Sequence, residues 1–292
     1  AISALLFGLN YWVAKGLMPD HFFPFQVIFL RVFGAFIIFG ILYLFTNHVK
    51  VNRKDWWRLI LAGLFGISAN QLLFFTGLNY SSPIDVSLIH LLNPVFVVVL
   101  SALFLSDKIT WTKVIGIVLG GIGAMMLIIP GKDLATINNS VTGNLLILGN
   151  TVAYSAYLII VKPLMKKYKP IQVMFWVFLF GFIFIIPLTL QPTLQLDFST
   201  IEFRAWLDLA YVVVAVTVGA YLLIVYALQN IKASVASFYV YFQPIIVVFI
   251  GILFMQESIS LMKVIAALLI FIGVFVVSRK SVKNKLREVN RK

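Results

Sequence analysis

SLIHLLNPVFVVVL, residues 87 to 100, is apolar enough to lie in a lipid bilayer, yet it carries His90, Asn93 and Pro94 within five positions near its middle. Each is unfavourable there. A polar group in hydrocarbon needs a partner, and a proline removes a backbone donor and clashes with the carbonyl one turn back. SFYVYFQPIIVVFI, residues 237 to 250, repeats the serine, puts Gln243 where Asn93 stood and keeps the proline as Pro244. The likeness extends in both directions. Residues 78–127 align with residues 228–277 without a gap at an offset of 150, and roughly a quarter of the positions are identical. Upstream, PFQVIF (24–29) matches PIQVMF (170–175), and KGLM (15–18) matches KPLM (162–165). The chain is a duplication.

Of its 292 residues 62% are hydrophobic, 15% aromatic and only 11% charged, with a mean hydropathy of +1.03. A soluble domain carries more than twice that share of charge. Apolar runs of membrane-spanning length recur along the chain, without the short alternating segments of a barrel. The reading is an all-α integral membrane protein of ten transmembrane helices, at about 2–18, 25–46, 56–78, 84–105, 112–129, 144–162, 171–190, 206–227, 234–255 and 262–278. The chain starts at Ala1 almost inside an apolar run and is read as lacking a few residues there. That first run is not read as a cleaved signal peptide, because no small-residue cleavage site follows it.

The net charge of +13 resides mostly in alternate loops and the tail. HVKVNRKDWWR, VKPLMKKYK and SRKSVKNKLREVNRK are strongly basic, and SDKITWTK and NIKAS mildly so, whereas PDHFFP, NYSSPID, PGKDLATINN, QPTLQLDFSTIE and MQESIS are not. An even number of spans with both termini cytoplasmic puts the basic set on one side, as the positive-inside rule requires. That places the protein in the plasma membrane, the inner one in a bacterium. Each half holds five spans, an odd number, so the second copy enters the membrane from the opposite side. Such inverted repeats are common in secondary transporters, whose site lies near the midplane between the halves.

Two copies ending NPVFVVVLSALFLSDKITWTKVIGIVLGGIGAMML and QPIIVVFIGILFMQESISLMKVIAALLIFIGVFVV resemble the paired EamA domains of the drug/metabolite transporter superfamily. The pattern shared is a proline in the fourth span (Pro94, Pro244), an acidic residue in the next loop (Asp107, Glu257) and glycines in the fifth span (Gly116, Gly120, Gly123; Gly273). The first copy also has LNYWVAKGLMP followed by FLRVFGA, with Arg31 at the family's arginine position, where the second copy has Val177. The resemblance implies repeats at 1–130 and 143–278, a basic cytoplasmic tail at 279–292, and a permease or exporter of small organic metabolites, amino acids among them.

Ser87, His90 and Asn93 are spaced to share one helix face. Asn93 lies about nine residues into its span, roughly 14 Å deep at the helical rise. The second copy offers Ser237, Tyr239 and Gln243. Asn10 and Trp12 beside Tyr11 in the first span, Asn70 and Gln71 in the third, Asn150, Tyr154 and Tyr157 in the sixth, and Tyr221 and Tyr226 in the eighth complete the candidate substrate-binding set. Aromatics beside amides hold an amphipathic solute by stacking and hydrogen bonding. Pro94 and Pro244 are expected to kink their helices, and a polar middle makes sense where it lines a wet cavity. The bland alternative is a kink with hydrogen bonds between helices. Lys15 and Arg31, roughly 5 to 10 Å inside the outer boundary by the helical rise, have stems that can snorkel to the headgroups, with an outer gate or an anion-attracting vestibule as the alternative.

With no cysteine, disulfides and thiol chemistry are excluded. No metal site or cofactor is expected, no nucleic-acid partner, and no enzymatic activity: GISAN (66–70) lacks the second glycine of a nucleophile elbow. The partners expected are a solute and the bilayer, with room for a homodimer. No carboxylate lies deep in a span, so polyvalent cations are poor candidates as cargo, and His90 is the central group with a suitable unperturbed pKa for proton coupling. A passive channel or structural membrane protein remains the competing class, and an intramembrane enzyme with His90 as base is the more remote one.

Overall fold

The structure, a computed structural model, describes residues 2–105, 109–128, 134–223, 242–255, 257 and 259–289. The regular secondary structure among these residues is all helix. The helices are α1 (Ile2–Gly16), α2 (Pro24–Leu44), α3 (Trp56–Gly63), α4 (Ala69–Tyr80), α5 (Pro83–His90), α6 (Asn93–Leu105), α7 (Trp111–Ile128), α8 (Leu134–Met165), α9 (Pro170–Leu194), α10 (Phe203–Ala210), α11 (Phe242–Phe254) and α12 (Leu261–Val289). A π-helical stretch, Leu64–Ser68, joins α3 to α4, and a second, Tyr211–Ala220, continues α10. Eight helices among the described residues are long and apolar enough to cross a membrane, and α11 is a shorter apolar helix. Their outward faces carry exposed Leu103, Phe104, Ile122, Leu268 and Phe275. Water would reject such a surface and lipid accepts it, so the chain is a multi-pass membrane protein.

Two helix pairs run antiparallel and close. In α2 and α9 the glutamine at the third helical position reaches across to the far end of the other. Gln26 Nε2 donates to the Pro192 carbonyl at 3.0 Å; Gln172 Nε2 donates to the Val49 carbonyl at 2.5 Å, and Val49 N–H donates back to Gln172 Oε1 at 3.3 Å. In the second pair, α7 and α12 meet through glycine. A Cβ on Gly116 would stand 2.5 Å from the Gly273 carbonyl oxygen, one on Gly273 2.6 Å from that of Gly116, and one on Gly123 2.7 Å from that of Ala266. Backbones approach this closely only where no side chain intervenes.

At the end carrying the basic loops, Asp55 is buried and holds two segments together. Lys167 Nζ donates to both its oxygens at 3.1 and 3.0 Å, and Tyr168 O–H donates to Oδ2 at 2.8 Å. At the opposite end Lys15 does not snorkel as expected. Its Nζ donates to the carbonyls of Leu78, Asn79 and Ser81 at 2.8, 2.7 and 3.1 Å, because the last carbonyls of α4 lack intrahelical partners and attract a cation. Beside it Lys263 of α12 approaches Asp85 Oδ1 at 3.0 Å. That contact is Coulombic rather than an aligned hydrogen bond, since Asp85 Oδ1 accepts none. Ser81 donates a short hydrogen bond to Asn144 Oδ1, and Asn144 Nδ2 donates to the Leu127 carbonyl at 2.7 Å, closing α4, α7 and α8 at this end.

Candidate functional site

The span from Pro83 is broken between α5 and α6. Leu91 and Leu92 turn tightly, their N–H groups donating three residues back to Leu88 at 3.2 Å and Ile89 at 3.0 Å, and Pro94 follows as the second residue of α6. The proline has no N–H to continue the helical ladder. His90 therefore ends one helix and Asn93 begins the next, so they do not share a continuous face as a single helix would require. Both nevertheless meet α8. His90 Nε2 lies 2.7 Å from Asn150 Oδ1, and Ser155 Oγ lies 3.2 Å from both the carbonyl and Oδ1 of Asn93.

His90 is the middle of a directional chain. Asn150 Nδ2 donates to the Asn70 carbonyl at 2.7 Å, which fixes the amide and leaves Oδ1 as the acceptor facing His90. Nε2 therefore carries the proton, and Nδ1 accepts from Tyr11 O–H at 2.6 Å. Neutral His90 has every polar atom satisfied. Phe74 flanks it, its centroid 5.7 Å from the imidazole and 5.9 Å from Tyr11. Beside this chain Gln71 Nε2 donates to Asn70 Oδ1 at 3.0 Å, but Gln71 Oε1 and Asn10 Oδ1 are buried acceptors with no donor among the described residues. Such groups are uncommon, because each leaves a desolvation cost uncompensated.

Arg31 is a correction. The expectation of a side chain reaching the headgroups fails: the residue is 4% exposed and points inward. Its Nε donates to Thr217 Oγ1 at 2.7 Å, and its guanidinium carbon sits 5.2 Å from the centre of the Phe75 ring. Thr217 lies in the π-helical stretch and donates its own proton five residues back, to the Val212 carbonyl at 2.7 Å. Tyr221, one turn on, is within electrostatic reach of Arg31, Tyr154 and Tyr157. Tyr154 and Tyr157 lie with centroids 5.7 Å apart, and Tyr221 packs edge-on to Phe7 of α1.

Among the residues chosen from sequence, His90, Asn70 and Gln71 are thus tied together through Tyr11 and Asn150, Asn93 meets Ser155 on α8, and Tyr154 and Tyr157 lie side by side near Tyr221, the Tyr157 hydroxyl facing Met174 Sδ at 3.8 Å; Asn10 is buried on α1. Ser87 and Trp12 do not present free groups to these residues. The Ser87 hydroxyl donates to its own helix at Ile84, 2.8 Å away, and Trp12 Nε1 donates to the Val247 carbonyl of α11 at 3.1 Å, which makes it a packing tie. Gln243 lies half-buried at the start of α11, beside buried Pro244. Tyr226, Ser237 and Tyr239 lie outside the described residues, as does Asp107. The structure adds Ser155 and Thr217. Neither stands out in sequence, because a hydroxyl in an apolar helix usually bonds its own backbone.

The fold is that of a multi-pass membrane protein with a buried polar centre. The model of the EamA-like transporter family matches residues 1–129 and again 141–279, and the chain belongs to that family, with two EamA repeats. Among similar proteins, an uncharacterized transporter of Bacillus subtilis, YyaM, is 27% identical over 93% of this chain and 89% of its own length. An uncharacterized transporter of Archaeoglobus fulgidus is also 27% identical, over 96% of this chain and 97% of its own. A probable terminal-alkyne amino-acid exporter of Streptantibioticus cattleyicolor is 23% identical over 80% and 76%. A solved crystal structure shares the fold, with a TM-score of 0.60 and 18% identity, covering 97% of this chain and 96% of that one.

Proposed function

We propose that this transporter is a secondary carrier that moves small organic metabolites, amino acids among them, across the cytoplasmic membrane by alternating access. The observation that carries the reading is the polar centre itself. Tyr11, Arg31, Asn70 and His90 from the first repeat meet Asn150, Ser155, Thr217 and Tyr221 from the second, within helices whose outer faces are apolar. A static protein gains little by holding so many polar groups in a membrane, whereas a carrier needs them where solute passes. The name of the distant exporter relative supports amino acids as the solute class.

Inverted topology of the repeats is part of the proposal. It is supported by the antiparallel pairing of α2 with α9 and of α7 with α12, which are equivalent helices, and by the reciprocal ties of Gln26 and Gln172. The two π-helical stretches fall at matching places in the repeats. Both termini are assigned to the cytoplasm, on the side of the basic loops. An alkaline phosphatase fused after residue 292 should be inactive in a bacterial host; activity in the periplasm would reverse the orientation.

Coupling to protons is not required. His90 is satisfied as a neutral group, and no carboxylate reaches the centre among the described residues. In proteoliposomes, unlabelled solute inside should drive accumulation of labelled solute, and collapsing a proton gradient should leave that exchange intact. Flux without counterflow would mark a passive channel instead, and loss of all flux with the gradient would mark obligatory coupling.

A further inference from the structure

Among the described residues the buried centre contains one fixed cation and no carboxylate paired with it. Arg31 is 4% exposed, its Nε is used by Thr217, and the other guanidinium nitrogens have no acceptor among the described residues. The ion pairs among those residues all lie elsewhere, at Asp55 and at Asp85. A guanidinium remains protonated in a protein, so the charge cannot be discarded by deprotonation. Isolated buried charges are strongly unfavourable, and natural proteins neutralise them. The Phe75 ring against the guanidinium relieves part of this cost and orients its plane, and Thr217, held by its own bond to Val212, fixes the Nε edge. The edge left over is the one that pairs with a planar anion through two parallel hydrogen bonds.

Resting on the carrier reading, we propose that Arg31 is the specificity-determining residue of the central site, and that its free guanidinium edge receives the carboxylate of the transported solute. Two buried acceptors, on α4 and on α1, have the complementary vacancy among the described residues. Gln71 lies one turn from Phe75 on α4, and Asn10 one turn from Phe7, which packs on Tyr221; each presents an acceptor oxygen with no donor among the described residues. These accept from a donor group elsewhere on the same solute. The cation fits a solute of net charge zero or below, because a net cation would meet repulsion from Arg31 in a medium of low dielectric.

The test uses the full-length protein in liposomes. A panel of free amino acids, their carboxamides and the corresponding decarboxylated amines is screened for competition in counterflow against whichever member the wild type carries. The wild type should prefer the free acid over its carboxamide by roughly ten- to hundredfold, the range for a hydrogen-bonded charge. Arg31→Gln should reduce that preference to within about threefold, while Arg31→Lys keeps part of it, since a lysine retains charge but not the paired geometry. Should Arg31→Gln fail to fold, Thr217→Val serves: it frees Nε and should weaken acid and carboxamide unequally. If the wild type carries amides or amines as well as acids, or if Arg31→Gln keeps the preference, the proposal is wrong and the carrier reading stands. If no member of the panel shows counterflow and a broader set of metabolites also fails, the carrier reading itself falls.

Discussion

Gly116→Leu is expected to prevent the protein from accumulating, and Gly116→Ala to lower its thermal midpoint in detergent by about 2–10 °C, from an overpacking cost of about 1–3 kcal/mol. Even a methyl group at Gly116 would stand 2.5 Å from the Gly273 carbonyl oxygen and 3.0 Å from the Val277 backbone nitrogen. These are backbone atoms that cannot rotate away, so α7 and α12 must separate along their shared face. Gly273→Ala should behave alike, since its added carbon meets the Gly116 carbonyl oxygen and the Gly120 backbone nitrogen, each at 2.6 Å. Gly121 is the internal control. It lies on the same helix, yet nothing comes within 4 Å of a carbon added there, so Gly121→Ala should leave the midpoint where it was. Equal effects at Gly116 and Gly121 would mean that glycine content, rather than this contact, sets the stability.

That contact was legible in the sequence, and the reason is physical. Glycines at helical spacing in an apolar run have few uses besides close approach, so Gly116, Gly120 and Gly123 announce an interface, though not its partner. The spans were legible for a similar reason, because lipid constrains composition over a whole helix length. The interruption beside Pro94 follows from the missing donor. The arrangement of the centre was less accessible. Asn150 and Tyr11 are visible as polar residues in apolar runs, but their convergence on His90 depends on how α1, α4, α5 and α8 meet, with separations of 79 and 60 residues along the chain. Arg31 was misread because helical rise gives its depth but not its direction. A long side chain near a boundary has two ways to satisfy its charge, and only the placement of Thr217 and Phe75 shows that it turned inward. The π-helical stretches leave no sequence signal of their own. Ser155 and Thr217 were hidden for the reason that makes them useful: each hydroxyl satisfies itself on its own helix and can still receive or share a further bond.

The second large effect is expected at the end opposite the basic loops, the outer end in the proposed orientation, where Lys15→Met should open a path to solvent. Lys15 Nζ holds the Leu78 and Asn79 carbonyls at the end of α4 and the Ser81 carbonyl just beyond it, and Lys263 stands against Asp85 at the head of α5. Together they draw the ends of α1, α4, α5 and α12 into contact, so in an alternating-access cycle this network must break whenever the centre faces outward. A hydrogen-bonded charge contributes about 1.5–3 kcal/mol, so its removal should raise the outward-open population by about ten- to hundredfold. The chain has no cysteine, so a single introduced thiol reports cleanly. Ser87→Cys places one beneath the network at a buried position on α5. Its labelling by a membrane-impermeant maleimide added outside should accelerate by that factor when Lys15→Met is combined with it, and by a comparable factor with Lys263→Met. Glu257 supplies an independent check. Burial raises its carboxyl above the ordinary range and Asp85 of α5 pushes the same way, while Lys263 of α12 and Lys15 of α1 pull it back. The closed arrangement therefore binds a proton at Glu257 more tightly than an open, hydrated one. The penalty of its charge is fully present above the raised pKa and disappears as pH falls through that value to the ordinary one. Mild external acid should slow labelling in the Ser87→Cys protein, and Glu257→Gln should remove that pH dependence. Labelling indifferent to Lys15, Lys263 and pH alike would show that these charges only fasten the fold and do not guard the outer entrance.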